Sequence, residues 1–174
     1  MSLNIDPVQS NDQIAAVSRL AHDIWNEHYS SIITQGQIDY MVETFQSTAA
    51  IAEQLRLGGY SYYLIVLEGN PIGYLAVKPD DGKLFLSKLY IRKDHRGRGL
   101  ASRAFAFVED LCQADGLSAI WLTVNRHNSG SIAVYEKKGF RTVRTQVADI
   151  GGGYVMDDYV MEKPVVAVGS CPLS

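Results

Sequence analysis

The chain has 174 residues, 47% of them hydrophobic and 20% charged, with a net charge of −3, enough to bury a core without disulfide or metal staples. Mild acidity excludes a general binder of nucleic acid or anionic membrane, whose phosphate contacts need an overall basic face. The N-terminus lacks a basic-then-apolar leader pattern and no window approaches a membrane span, so a cytoplasmic protein without nucleic-acid or membrane partners is expected.

In chain order, a short strand is expected near Leu3–Ile5. A helix follows over "SNDQIAAVSRLAHDIWNEHY", where Ser10 or Asn11 can cap and Ile14, Val17, Leu20, Ile24 and Trp25 recur at helical spacing. "QGQIDYMVETF" and "STAAIAEQLRLGG" read as two more helices, the second capped by Ser47 and stopped at Gly58-Gly59. The period then changes. "YSYYLIVLE", "IGYLAVK" and "KLFLSKLYI" are rich in β-branched and aromatic residues, and turns at Gly69-Asn70-Pro71 and "PDDG" join them as an antiparallel meander. A helix from about Leu100 to Ala114 presents Leu100, Ala104, Phe107, Val108 and Leu111 on one face. A strand at "SAIWLTV", a helix at "SGSIAVYEKKG" and the strands "FRTVRTQVAD" and "YVMDDYVMEK", joined through Gly151-Gly152-Gly153, complete the order. It predicts an α/β (α+β) architecture with a mixed sheet, residues 1–164 forming a single domain and 165–174 a loosely held tail.

Against this acidic background, Arg92, Lys93, His95, Arg96, Arg98 and Arg103 crowd into residues 92–103, interleaved with Gly97 and Gly99 between a strand and a helix. Such a turn presents free N–H groups at the positive end of a helix dipole, and its glycines let the backbone approach an anion closely. A pyrophosphate fits better than a carboxylate because several donors converge; the alternative is a solvated basic turn whose glycines serve backbone geometry alone. The spacing matches neither a P-loop nor the dinucleotide fingerprint. Cys112 and Cys171 lack metal or redox spacing and read as reduced thiols. His22, His28, His95 and His127 lack ligand spacing, so no metal is expected.

The pattern Arg96-x-x-Gly99-x-Ala101 after the "LYI" strand resembles the acyl-CoA-binding motif of the GCN5-related N-acetyltransferases (GNAT). Downstream, "LTVNRHNSGSIAVYEKKGF", with Asn128, Tyr135 and Gly139-Phe140, resembles that family's second signature. The resemblance spans residues 60 to 162. It implies a mixed, mostly antiparallel seven-stranded sheet with helices on both faces, in which the strand before the glycine turn splays from the one over Ser118–Val124 to admit acetyl-CoA. The main chain of Arg96, Gly97, Arg98, Gly99, Leu100 and Ala101 would hold the pyrophosphate. The backbone of Leu89 and Ile91 would pair with pantetheine, a Leu89 N–H polarising the thioester carbonyl. Tyr135 matches the family's general acid, a phenol of pKa about 10 facing a thiolate only slightly less basic. Asn128 either bonds the pantetheine or caps the helix from Ser129. Many members carry a glutamate two residues before Leu89; here Ser87 stands there, holding a catalytic water or merely packing.

Family members bind the acceptor between the first helices, the middle strands and the last hairpin. Carboxylates and rings in those segments suit a cationic amine: Trp25, Glu27, Tyr29, Asp39, Tyr40 and Glu43 in the first, Asp157 and Asp158 in the last. The function implied is direct acetyl transfer to a small-molecule primary amine, such as a polyamine or diamine, by a homodimer of family habit. The alternatives are acetylation of a protein or peptide amine, and a non-catalytic acetyl-CoA sensor, for which the missing glutamate speaks.

Overall fold

The computed structural model describes residues 2–166; Cys171 and most of the expected tail lie outside them. Along the chain run β1 (Leu3–Pro7), α1 (Asn11–Tyr29), α2 (Gln35–Gln46), α3 (Thr48–Arg56), β2 (Ser61–Leu67), β3 (Asn70–Asp80) and β4 (Lys83–Ile91). Then come α4 (Leu100–Ala114), β5 (Ala119–Asn125), α5 (Ser129–Lys137), β6 (Arg141–Gly151) and β7 (Tyr154–Pro164). The seven strands lie in the order β1-β2-β3-β4-β5-β7-β6. Its β5 pairs parallel with β4 and antiparallel with β7, and β1–β2, β2–β3 and β6–β7 are antiparallel too. The sheet is therefore mixed and mostly antiparallel, as expected. The described residues group into two compact units, 2–78 with 87–106 and 79–86 with 107–166.

In the first unit, Ser10 rather than Asn11 caps α1. Its Oγ accepts the Gln13 N–H (3.2 Å) while Gln13 Oε1 accepts the Ser10 N–H (2.9 Å), a reciprocal box. Val17, Leu20 and Ile24 are buried at the predicted helical spacing, together with Ile38 of α2 and Ile51 of α3. The β2–β3 hairpin turns at Glu68-Gly69, with φ of 50° and 82°, and β3 starts at Asn70. The sequence reading sets this turn one residue late. A two-residue loop that matches strand twist needs left-handed backbone at both positions, which Gly69 adopts without cost. Pro71 is then admitted into β3 beside a register shift, Ile65 facing Gly73 and Val66 facing Pro71.

Buried polar side chains tie the helices of this unit to β2 and β3. Tyr74 Oη donates to Gln46 Oε1 (2.6 Å), Gln46 Nε2 to Tyr62 Oη (2.9 Å), and Tyr62 Oη to Gln54 Oε1 (2.6 Å). Burial pushes the Tyr62 phenol up to about 12 and Tyr74 well above its ordinary value, so both remain protonated donors. In the second unit, Leu84, Ile120, Leu122, Val160 and Met161 of the strands and Val108 and Cys112 of α4 are buried.

Candidate active site

The chain leaves β4 through the basic glycine turn. Arg92 N–H donates to Ile72 O on β3 (2.8 Å), and a Cβ added at Gly73 would come within 2.2 Å of Tyr90 O. The main-chain groups of Tyr90 and Arg92 thus face β3. Because that direction alternates along a strand, those of Leu89 and Ile91 face the opposite edge. Ile91 O there accepts from Arg96 Nε (3.0 Å), which fastens the arginine side chain to the strand end.

A 3-10 turn at Lys93–His95, unforeseen in the sequence, leads into Gly97 and Gly99, with φ of 80° and 73°. An added Cβ would meet nothing within 4 Å at either. These glycines therefore serve left-handed backbone and leave open space beside the turn, rather than admitting a tight internal contact. Arg98 is exposed, whereas Leu100 is buried and anchors the start of α4. Arg103 N–H makes a helical bond back to Gly99 O (3.3 Å); donors ahead of that first turn have no intrahelical acceptor. Arg96 through Gly99 are exposed and lead into the helix start, with the Arg96 N–H donating to Lys93 O (3.3 Å).

Ser87 Oγ accepts from Lys88 Nζ (2.8 Å), and the same ammonium stands 5.9 Å from the Trp25 ring centroid. Burial lowers Lys88 to about 8. Nothing in the local sequence marks this lysine, because its shift comes from burial and its ring partner from α1. Trp25 and Tyr29, expected near an acceptor, are only 3% and 8% exposed. Trp25 Nε1 donates to Tyr74 Oη (3.0 Å), and Tyr29 Oη lies 3.2 Å from Tyr90 Oη. Both rings are thus packed, while Glu27 between them is exposed.

In the second unit, Asn128 caps α5, its Oδ1 accepting the Ser131 N–H (3.2 Å). Tyr135, partly exposed on that helix, sets its ring edge-on to Phe140 at 5.9 Å. Phe140 is 2% exposed and its N–H donates to Tyr135 O (3.0 Å), so the Gly139-Phe140 pair locks the end of the helix that carries the phenol. Cys112 is fully buried, its Sγ against Leu117 O and Ala119 O, and burial pushes the thiol up. Asp157 is ion-paired with Arg126 (2.9 Å), while its neighbour Asp158 is buried. Among the described residues, no group of three or more His, Cys, Asp or Glu is placed to hold a metal ion, and no helix is long and apolar enough to cross a membrane.

Residues 19–140 match the profile described as the acetyltransferase (GNAT) family. The chain belongs to the GNAT family. Among its relatives, an uncharacterized N-acetyltransferase of Mycobacterium bovis is 29% identical over 126 residues, 72% of this chain and 80% of that protein. An uncharacterized N-acetyltransferase in the pepI 3′ region of Lactobacillus delbrueckii subsp. lactis is 27% identical over 62% of this chain and 66% of its own length. In fold, the chain is similar to the PaiA N-acetyltransferase of Thermoplasma acidophilum in complex with coenzyme A, with a TM-score of 0.77, 21% identity and coverage of 94% of this chain and 99% of that one. A GCN5-related N-acetyltransferase from Rhodopseudomonas palustris gives 0.78 at 17% identity, covering 95% and 97%. This GNAT protein is an acetyl-CoA-dependent N-acetyltransferase.

Proposed function

We propose that the enzyme passes acetyl from acetyl-CoA directly to a primary amine of a small molecule, a polyamine or diamine being the class its acidic segments suit. The observation that carries this reading is the end of β4. The Leu89 and Ile91 main chain faces away from β3, just ahead of an open left-handed turn at Gly97 and Gly99. An extended pantetheine arm pairs with that edge as an added strand. Its pyrophosphate meets the N–H groups of Gly97 through Ala101, since that of Arg96 already donates to Lys93 O (3.3 Å), with Arg98 supplying charge. A Leu89 N–H polarises the thioester carbonyl as charge develops on its oxygen.

The neutral amine attacks that carbonyl, the C–S bond breaks, and Tyr135 gives its phenolic proton to the departing thiolate. Cys112 takes no part, since a buried thiol with a raised pKa is a poor nucleophile. Ser87, its hydroxyl already accepting from Lys88, holds no carboxylate's place as base.

Free-thiol release would be followed against spermidine, spermine, diamines, amino acids, aminoglycosides and lysine-bearing peptides. One small-amine class should stand out, and Tyr135→Phe should lower its turnover roughly 10²- to 10³-fold with coenzyme affinity intact. Turnover confined to peptides would sink the small-molecule reading. Full activity in Tyr135→Phe would remove the general acid.

A further inference from the structure

Asp158 occupies the middle of β7, with Asn125 of β5 and Gln146 of β6 as its register partners. The three side chains therefore stand side by side on one face of the sheet. Asp158 is 5% exposed, and its Oδ1 is buried with no hydrogen-bond partner among the described residues. A buried carboxylate ordinarily has a donor or a counter-charge.

The surrounding charges do not supply one. Arg126 holds Asp157 instead, at 2.9 Å, and lies over the Tyr159 ring; Asp157 and Tyr159 point to the opposite face of β7. On β6 the cation near this row is Arg144, opposite Val160 and exposed. On β5 the neighbours are uncharged: Thr123, and Asn125, whose Oδ1 accepts the His127 N–H (2.9 Å). One carboxyl between two amides, with no cation paired to it among the described residues, is chemistry suited to a ligand's ammonium.

We infer that Asp158 binds the ammonium of the acceptor and takes the proton that must leave before the amine can attack. The inference rests on the reading of this protein as an acetyltransferase of small cationic amines. The substrate R–NH3+ gives one proton to the Asp158 carboxylate, leaving R–NH2 and a neutral carboxyl. The nitrogen lone pair forms the N–C bond as the C–S bond breaks, and the thiolate is protonated by Tyr135. The acylated nitrogen sheds its surplus proton through solvent, which reprotonates Tyr135, and Asp158 releases its proton to solvent before the next turnover. Burial, with Asp157 as the lesser cause, raises Asp158 to about 6. It is then ionised at neutral pH and more basic than an ordinary carboxylate, as the role requires.

The test is calorimetric titration of spermidine into the full-length protein saturated with CoA, for wild type, Asp158→Asn and Asp158→Ser. Spermidine should bind wild type at least tenfold more tightly than either variant at pH 8, and more tightly at pH 8 than at pH 5, with CoA affinity unchanged. With acetyl-CoA, kcat/KM should rise through pH 6 in wild type, and Asp158→Asn should lose that step with roughly 10²- to 10⁴-fold of the rate. Equal affinities across the three proteins, or no binding to any of them, would overturn the inference. Failure of the catalytic reading looks different: spermidine would bind in an Asp158-dependent way without thiol release.

Discussion

At the scale of single residues, Cys112 and Asp158 are both buried and carry opposite expectations. Cys112 packs against Leu117 and Ala119, so Cys112→Ala should keep turnover within about twofold while costing about 1 kcal/mol in urea denaturation. Loss of turnover in a folded, CoA-binding variant would show that acetyl passes through a thiol. Asp158 titrates in the other direction from most carboxylates. Its folded-state value, about 6, lies above that of the unfolded chain, so the folded protein holds the proton more tightly. The stabilisation is complete below pH 4 and is lost as pH rises through 6. Asp158→Asn should therefore gain about 2–3 kcal/mol relative to wild type between pH 4 and pH 8. A pH-independent difference between the two denaturation curves would mean that Asp158 titrates normally.

At the scale of elements, the end of β4 depends on the close approach of β3. An added methyl at Gly73 would collide with the Tyr90 carbonyl, which is backbone and cannot swing aside. Gly73→Ala should destabilise by about 1–3 kcal/mol and weaken CoA binding as β4 shifts. Gly99 is the contrasting case, since a Cβ there meets nothing and only its φ of 73° resists substitution. Gly99→Ala should cost about 1–2 kcal/mol of backbone strain, with a loss of CoA affinity larger than its loss of stability. The two variants together separate strand packing from phosphate access.

The hydrogen-bond chain through Tyr74, Gln46, Tyr62 and Gln54 joins α2 and α3 to the paired strands β2 and β3. Tyr74→Phe leaves Gln46 Oε1 and the Trp25 N–H short of a partner, at a cost of about 1–3 kcal/mol by thermal unfolding.

At the scale of the whole molecule, sedimentation velocity decides the assembly. A homodimer, the state family habit implies, would sediment at twice the chain mass of 19.2 kDa.

Much of this protein was determined by local sequence. Apolar spacing placed α1 and α4, short polar side chains marked the caps at Ser10 and Ser47, and aromatic, β-branched runs announced the strands. The glycine-arginine turn and the Asn128–Tyr135 segment were legible because they are contiguous, and contiguous residues carry their geometry with them. The turn was read one residue late at Gly69, because its first left-handed position is Glu68, a residue type that does not announce that backbone. What only the tertiary structure decided involves partners far apart in the chain. Tyr29 and Tyr90 pack against the Trp25 ring and Tyr74 accepts its N–H, contacts that no local stretch announces. Lys88 acquires its lowered pKa from burial, and Asp158 its raised one from burial as the largest cause. Asp157 and Asp158 are adjacent in sequence and equivalent by composition. Strand alternation and Arg126 give one a salt bridge and leave the other buried without a counter-ion among the described residues, because burial and pairing are properties of a sheet face, which no local stretch of sequence contains.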